Sequence, residues 1–489
     1  MARLQSMDEQ GNMMADSAGR DSYPAVGSSL LAALGAALLC SCADFRAPEY
    51  ERPDSPAKPS WSRSSEVAVS AAEAISPAWW QEFRDPYLDA LVSKAIAGNF
   101  DLRILAARTG VADAQIDQVR AGALPVLDLG ASAVFEKSTG QKLSKVYNLA
   151  TQVNWEIDIW GKVEKGVQAQ TAEFRASEAD WRAGYLTLVS DVATSYFQIL
   201  QFDEQIEQQE KSLGKNRQIL TIYEAMYQNG LVPQTQVLLQ KAEINRLTNG
   251  LLELRRLRDL AENSLATLTG VPAGELKVPP GGLLARVRVP TVPGGLPSQL
   301  LSRRPDIVAA EYRVLEAYDL VGQAKLAQLP TVSLTGRLGT AALSPGDLFK
   351  SFTFSFLPSV NFPLFDPNIK AQIKTSQAQT KVAQELYRRT VIGAFEEVEN
   401  TLVNLDSHRK QKTQLEEQTG YLRVAAAQTE AQLKEGIASQ LEVFEAERQL
   451  LAAQLALLAS HQQILSDTVT LYKTLGGGWP SVNVRNESN

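Results

Sequence analysis

One stretch, Tyr147 to Trp160 (YNLATQVNWEIDIW), restricts the fold of this 489-residue chain more than any other segment. Its odd positions are mostly apolar or aromatic and its even positions mostly polar, so a two-residue period puts each set on its own face of a β-strand. The run is longer than the ~5–6 residues usual for soluble strands and suits a tilted bilayer-crossing strand, which needs ~9–11 residues. By itself, the pattern fits a half-buried strand of a soluble sheet equally well.

The same alternation occurs three more times, at Leu127 to Glu136, Thr331 to Leu338 and Ser351 to Leu364. The four strands form two predicted hairpins with tips near Ser138–Ser144 and Ser344–Asp347. Strands with one apolar and one polar face indicate a membrane barrel that has lipid outside and water inside. The residues expected to face the lumen are Asp128, Glu136, Gln152, Asn154, Glu156, Asp158 and Arg337.

Composition argues against several functions. The chain has a net charge of −7, which argues against nucleic-acid binding. Its two histidines, His408 and His461, lie apart on predicted helices, so neither a metal site nor a histidine-based catalytic centre is expected. The glycine run 476–478 follows no strand and is a weak candidate for a phosphate loop. We therefore expect no enzyme activity, no metal and no cofactor.

The N-terminal region resembles the export signal of a bacterial lipoprotein. An apolar run, LLAALGAALLCSC, ends at Cys42 and is too short to span a bilayer as a helix. A small residue precedes Cys42, as the lipobox motif requires, whereas Cys40 follows a bulky leucine. The sequence therefore predicts a signal peptide over residues 1–41 and lipidation of Cys42, although residues 1–28 are acidic where a basic segment is expected.

The chain contains an internal duplication. Asp306 repeats Asp101 and Gln323 repeats Gln118, each 205 positions later. Because this offset is odd, the apolar strand face should move from odd to even positions, and it does, which supports a true repeat. The predicted divisions are a lipidated tether (42–75), a first repeat of helix, β-hairpin and helical hairpin (76–270), an equatorial linker (271–297), a second such repeat (298–475) and a C-terminal tail (476–489).

Each β-hairpin leads into a long helical stretch with coiled-coil spacing. Apolar residues step by three and four positions from Leu186 to Leu200 and from Val391 to Leu405. Each stretch is broken once, at Gly230 or Gly436, and a returning helix follows the break. The sequence therefore predicts two antiparallel helical hairpins.

Four strands cannot close a membrane barrel. An open sheet edge in lipid leaves backbone groups unpaired, at several kcal/mol each, and small membrane barrels have ~8 strands or more. The chain must therefore oligomerise. Two copies would supply eight strands and three would supply twelve, and periodicity does not choose between them.

Several segments resemble the TolC-type outer-membrane efflux proteins, especially the lipoprotein branch that serves resistance-nodulation-division (RND) pumps. The segments are WWQEFRDPYLDALVSKAIAGNFDL (79–102), WEIDIWGK (155–162), LLSRRPDIVAAEYRVLEA (300–317), NFPLFD (361–366) and YKTLGGGW (472–479). The resemblance implies an α+β membrane protein of the bacterial outer membrane. It would be a homotrimer with a twelve-stranded β-barrel, four strands per chain, continued by a long periplasmic α-helical barrel. It would act as a passive duct that exports small molecules or drugs from an inner-membrane RND pump through a periplasmic membrane-fusion adaptor.

The resemblance also assigns roles at the periplasmic end. The hairpin tips that would meet the adaptor are Gly230, Leu231, Val232, Gly436, Ile437 and Ala438. Glu442 and Glu445 stand where relatives carry acidic residues, usually aspartates, at a constriction. Their spacing puts both on one helix face, and mutual repulsion around a threefold axis should raise their pKa above the reference value of about 4.3. The alternative is a solvated helix face that also includes Glu435 and Glu447.

Two other functions fit part of the sequence. The outer-membrane duct of a type I secretion system would have the same barrel and helices. A structural or adhesive coiled-coil lipoprotein would transport nothing, and the polar strand faces argue against it because such an anchor needs no polar lumen. The sequence does not name the exported compound, because in such systems the pump selects the substrate.

Overall fold

A computed structural model describes residues 49–54, 58–63, 75–292, 297 and 300–478, all within one unit, Ala47–Asn489. The predicted signal peptide and Cys42 lie outside the described residues. In chain order the helices and strands are α1 (Pro86–Gly98), α2 (Phe100–Ala121), β1 (Val126–Glu136), β2 (Ser144–Ile157), α3 (Lys162–Gln228), α4 (Gln234–Leu268), α5 (Leu283–Arg286), α6 (Leu300–Arg303), α7 (Pro305–Leu326), β3 (Thr331–Ala342), β4 (Thr353–Asn361), α8 (Pro367–Lys434) and α9 (Gln440–Thr474), with 3₁₀ turns at Trp79–Phe83 and Pro345–Asp347.

The four strands form a single antiparallel sheet in the order β1-β2-β3-β4. The two predicted hairpins are therefore present, and β2 pairs with β3 to join them. In the part of the chain that the structure describes, much of the apolar face is exposed, and Leu129 and Phe354 are each 73% exposed. A continuous apolar surface of this kind needs another partner, and alternation along the strands points to lipid.

The helices repeat with the offset predicted from the sequence. α2 and α7 begin 205 positions apart, at Phe100 and Pro305, and so do α3 and α8, at Lys162 and Pro367. α3 has 67 residues and α8 has 68, so the returning helices α4 and α9 are offset by one position more. At 1.5 Å per residue, each long helix extends about 100 Å.

The main hydrophobic core joins the segment before α1 to the middle of α3 and to the C-terminal end of α9. The Trp79 ring stacks on Tyr472 with 5.0 Å between centroids, and Phe83 packs on Phe197 at 5.1 Å. Asp85 caps α1 by accepting a hydrogen bond from the Tyr87 backbone N–H (2.8 Å). The segment WWQEFRDP thus holds α1 against α3 and α9.

The start of the second repeat is tied to the end of the described chain. Arg304 is buried, and its guanidinium donates to Asp306 (2.6 Å) and to the Thr474 carbonyl (3.2 Å). Gly476 has φ +89°, and a Cβ there would lie 2.9 Å from the Arg303 backbone. Glycine is therefore required, because the chain passes directly over this backbone.

The proline-rich linker packs against the first helical hairpin. The Val278 N–H donates to Glu262 (2.7 Å), and Lys277 forms an ion pair with the same carboxylate (3.0 Å). Arg258 bonds both Asp203 (2.5 Å) and the Val278 carbonyl (2.8 Å). A buried ionic network thereby fixes the linker to α3 and α4.

The described part of the predicted tether, 49–54 and 58–63, is docked on the second repeat. Arg52 forms an ion pair with Glu311 of α7 (2.7 Å). Lys58 and the Ser62 hydroxyl both contact Glu399 of α8. The buried Trp61 ring lies against α8 as well, so this segment is held by specific contacts.

Candidate functional site

The polar face of the sheet brings six of the predicted lumen residues onto one side. In register, Gln152 lies opposite Asp128 on one neighbour and opposite Arg337 on the other. Gln152 Nε2 also donates to Asn154 Oδ1 (2.9 Å). The six residues are Asp128, Glu136, Gln152, Asn154, Glu156 and Arg337. Because these six residues include both acidic and basic side chains, the polar face can form hydrogen bonds with solutes of either charge.

Asp158 differs from the other residues that were predicted to line the lumen, because it lies beyond the end of β2. β2 ends at Ile157, and the Asp158 carboxylate accepts hydrogen bonds from the backbone N–H groups of Lys162 (2.7 Å), Val163 (2.9 Å) and Glu164 (3.1 Å). A carboxylate here satisfies unpaired N–H groups at the first turn of α3 and complements the helix dipole. Asp158 therefore fixes the turn from sheet to helix and does not lie on the strand face.

The two predicted tips are the turns that join α3 to α4 and α8 to α9. Gly230 and Gly436 both have φ +74°, a left-handed conformation that favours glycine. The next residues, Leu231 and Ile437, are 70% and 72% exposed. Equivalent apolar side chains thus project from both tips, as expected of a surface that contacts another protein.

Glu442 forms a capping box at the start of α9. The Ser439 hydroxyl accepts from the Glu442 N–H (3.3 Å), and the Glu442 carboxylate accepts from the Ser439 N–H (2.5 Å). These bonds from Ser439, backbone first, hold the pKa of Glu442 below its usual value. Within one chain the pKa of Glu442 is therefore lowered, whereas repulsion between carboxylates was predicted to raise it.

Glu445 lies almost one turn further along α9. Its carboxylate accepts from Arg448 (2.6 Å) and Gln449 (2.8 Å). The hydrogen bond from Arg448, followed by that from Gln449, keeps the pKa of Glu445 below its usual value. Arg448 also offsets part of the Glu445 charge, whereas Glu442 is held by the backbone. A gate formed by both residues stays a prediction.

A buried chain of amides joins the two helical hairpins near their tips. Gln440 Nε2 of α9 donates to Gln240 Oε1 of α4 (3.4 Å). Gln240 Nε2 donates in turn to the Asn216 carbonyl (2.8 Å) and to Asn216 Oδ1 (2.9 Å) of α3. Buried amides need their partners, so this chain specifies how the two hairpins meet.

A cavity of about 690 Å³ lies beside these amides, between the hairpin ends. Val232, Ala438 and Tyr223 contribute to its wall, and Glu447 closes one side. Burial raises the pKa of Glu447 above its usual value. Glu447 is half-buried and α9 turns its carboxylate towards the first hairpin, so it is not part of a fully solvated helix face.

The sequence contains a signal for this polar joint that the alternation along the strands does not reveal. Gln240 stands in the apolar stripe of α4, stepping by three and four from Val237 to Leu247 and Leu251. A polar residue at such a position is buried if the stripe is buried. Glu447 likewise follows Val443 by four positions in α9, so helical period would have placed it towards the core.

Other sites receive no support from the described residues. Within 49–54, 58–63, 75–292, 297 and 300–478, no group of three or more histidine, cysteine, aspartate or glutamate residues could hold a metal ion. Among the helices that the structure describes, none is both long and apolar enough to cross a membrane.

Fold and site together define a subunit of an oligomeric membrane channel: a sheet with separate polar and apolar faces, continued by two antiparallel helical hairpins. A family model described as outer membrane efflux protein matches residues 91–271 and 296–477, and the chain belongs to this family. It is 29% identical over 427 residues to the pyoverdine export outer membrane protein OpmQ of Pseudomonas putida, covering 84% of this chain and 90% of the relative.

Two further relatives also match most of the chain. The cation efflux system protein CusC of Escherichia coli is 28% identical over 442 residues, covering 88% of this chain and 95% of the relative. The solved outer-membrane channel OprN is 28% identical and superposes with a TM-score of 0.79, covering 89% of this chain and 99% of that chain. These matches span both repeats, so the likeness extends over nearly the whole described chain.

These comparisons confirm the predicted fold class, function and location. The structural neighbours are trimeric outer-membrane efflux channels with a β-barrel and a long α-helical barrel. This chain has the corresponding four-stranded sheet and long helical hairpins. It is an outer-membrane channel of a tripartite efflux system and extends into the periplasm.

Proposed function

We propose that this chain is a passive exit duct that forms a homotrimer and receives small molecules from an inner-membrane RND pump through a periplasmic membrane-fusion adaptor. The observation that carries the proposal is the register of the sheet, which puts Asp128, Gln152 and Arg337 in one polar row across three strands. Three copies supply twelve strands, enough to close a barrel around this face. The duct catalyses no reaction, and the pump supplies the energy.

Contact with the adaptor is proposed at the two hairpin tips. Leu231 and Ile437 project at equivalent positions of the two repeats, so a trimer offers six quasi-equivalent apolar contacts. Glycine at the preceding position lets each turn reverse within a few residues. Substituting both side chains by aspartate should abolish co-purification of the adaptor without dissociating the trimer. Co-purification at the wild-type level would refute this contact.

The gate is proposed at the start of α9. Glu442 lies in the first turn after the second tip and Glu445 almost one turn further along, and three copies would bring six carboxylates to one end of the duct. Carboxylate rings attract cations into a narrow pore. In the trimer, the carboxylates of neighbouring chains repel one another, which they do not do within one chain. The width of the pore at this end therefore depends on trimer assembly.

The anchor proposed at Cys42 leaves a mature chain that begins with a lipidated tether, followed by the two repeats and their linker. A Cys42→Ser variant should lose metabolic fatty-acid label, while the barrel still inserts because its apolar face suffices. Label retained on that variant would move the modification to Cys40.

The exported compound is proposed to be a small molecule chosen by the pump. OpmQ and CusC are named for pyoverdine export and cation efflux respectively, although they resemble this chain at nearly the same identity, 29% and 28%. Deleting the gene should increase sensitivity to the substrates of its pump, and re-expression should restore resistance. Loss of protein secretion instead would favour a type I secretion duct, and no transport defect of either kind would favour a structural lipoprotein.

A further inference from the structure

The first β-hairpin tip is cationic although the chain as a whole is acidic. Lys137, Lys142 and Lys145 lie within nine positions, and all three side chains are exposed. Within the described residues, none of the three forms an ion pair or a side-chain hydrogen bond, whereas Lys350 of the second tip is paired with Asp347 (2.5 Å). Three ammonium groups are therefore left without an ion-pair partner among the described residues, at the end of the sheet opposite the helices.

The strand register puts part of this charge on the lipid side. Lys145 lies opposite Phe135 and has the same parity as Tyr147, which belongs to the apolar face. The Phe135 and Tyr147 rings meet edge to face with 6.0 Å between centroids, as in the aromatic girdle of a membrane barrel. Glu136, the acidic residue of this tip, lies opposite Ser144 on the polar face and so does not screen Lys145.

The second tip adds apolar surface on the same side. Thr340 has the parity of the apolar face, and its hydroxyl donates to the Leu348 carbonyl. The loop between β3 and β4 therefore folds over the outward side of the sheet. Phe349, in this loop, is 71% exposed. The base of the loop lies beside β2, because Ala342 pairs with Tyr147.

We propose that this rim, formed by Lys137, Lys142 and Lys145 beside the aromatic and apolar residues of both tips, binds the phosphate groups of an outer-leaflet glycolipid, lipopolysaccharide. The lysines supply the charge that phosphate requires, and the aromatic girdle puts them at headgroup depth. A lipid fits better than a soluble anion because the lysines adjoin apolar side chains. Three copies arrange three such sites around the barrel and fix its depth in the outer leaflet.

The test is lipid binding by the purified full-length trimer in phosphatidylcholine nanodiscs. Lipopolysaccharide is titrated, and bound lipid per trimer is counted by native mass spectrometry. Because a basic side chain near an anionic lipid surface contributes a factor of about five, the triple variant Lys137→Gln, Lys142→Gln, Lys145→Gln should bind roughly a hundredfold more weakly. Wild-type binding should also weaken steeply as salt is raised. Equal binding by variant and wild type would overturn the proposal.

A matched control removes three exposed lysines from helices, Lys94→Gln, Lys374→Gln and Lys381→Gln, and should bind as wild type does. Dephosphorylated lipopolysaccharide should bind the wild type as weakly as intact lipid binds the triple variant. Undiminished binding of the dephosphorylated lipid would show that apolar contacts suffice, and displacement by millimolar inorganic phosphate would show a soluble-anion site. Either result would refute the lipid proposal.

Discussion

Replacing Gln240 by leucine should loosen the joint between the two helical hairpins. The Gln240 side chain is 0% exposed and makes three hydrogen bonds, two to Asn216 and one from Gln440. Leucine retains most of the volume but removes all three bonds. Asn216 Oδ1 and Gln440 Nε2 then remain in buried surroundings without these partners.

The magnitude follows from the two side-chain groups left unpaired. A buried polar group without a partner costs about 1–3 kcal/mol. The Asn216 carbonyl loses less because it also belongs to the α3 backbone ladder, and the 3.4 Å bond from Gln440 is long. We therefore expect a cost of about 2–3 kcal/mol, which corresponds to a shift of roughly thirty- to 150-fold in the equilibrium between closed and open joints.

Single-channel recording in planar bilayers measures this shift as an increase in open probability. Gln209→Leu is the matched control, because buried Gln209 bonds the Leu247 carbonyl within the first hairpin (2.9 Å) and does not cross the joint. The pair Gln240→Leu, Gln440→Leu should recover part of the loss, since both amides are then absent. An open probability for Gln240→Leu no higher than for Gln209→Leu would refute the role of the amide chain in closure.

Three further predictions concern other parts of the duct. Glu442→Gln with Glu445→Gln should weaken cation preference and multivalent block in planar bilayers, and unchanged selectivity would return both residues to a solvated helix face. Phe354→Arg, on the lipid side, should cost ~2–4 kcal/mol near the midplane, whereas Ser355→Arg should cost far less and alter conductance; equal heat resistance of the two trimers would contradict the face assignment. Burial raises the folded-state pKa of Glu447, so the folded state gains stability as pH falls through that pKa. Glu447→Gln should therefore be more stable at neutral pH and lose this pH dependence in thermal unfolding.

The strands were predictable because lipid exposure makes both faces of the sheet distinct in the sequence. Their ends were less predictable. β2 begins at Ser144 and ends at Ile157, whereas alternation in the sequence ran from Tyr147 to Trp160. The earlier end arises at Asp158, where helix capping competes with strand pairing, and an alternating pattern carries no information on that competition.

The helical hairpins and their glycine turns were predictable from local spacing, but the joint between the hairpins was not. Gln240 and Gln440 meet across 200 positions of sequence, and they come together because α4 and α9 both pack against α3. The partial burial of Glu447 depends on the same packing. Local patterns identify a buried stripe, whereas the partner of each polar residue in it depends on the relative register of the two repeats.

The docking of the N-terminal segment on the second repeat has a consequence for the order of folding. Arg52, Lys58 and Arg63 reach partners that lie 259, 341 and 343 positions later in the chain. Contacts of such long sequence separation close late, because the loop between them must first be ordered. These residues are synthesised early but have no native surface to bind until α7 and α8 have formed. The beginning of the described chain is thus among the last parts to reach its final position.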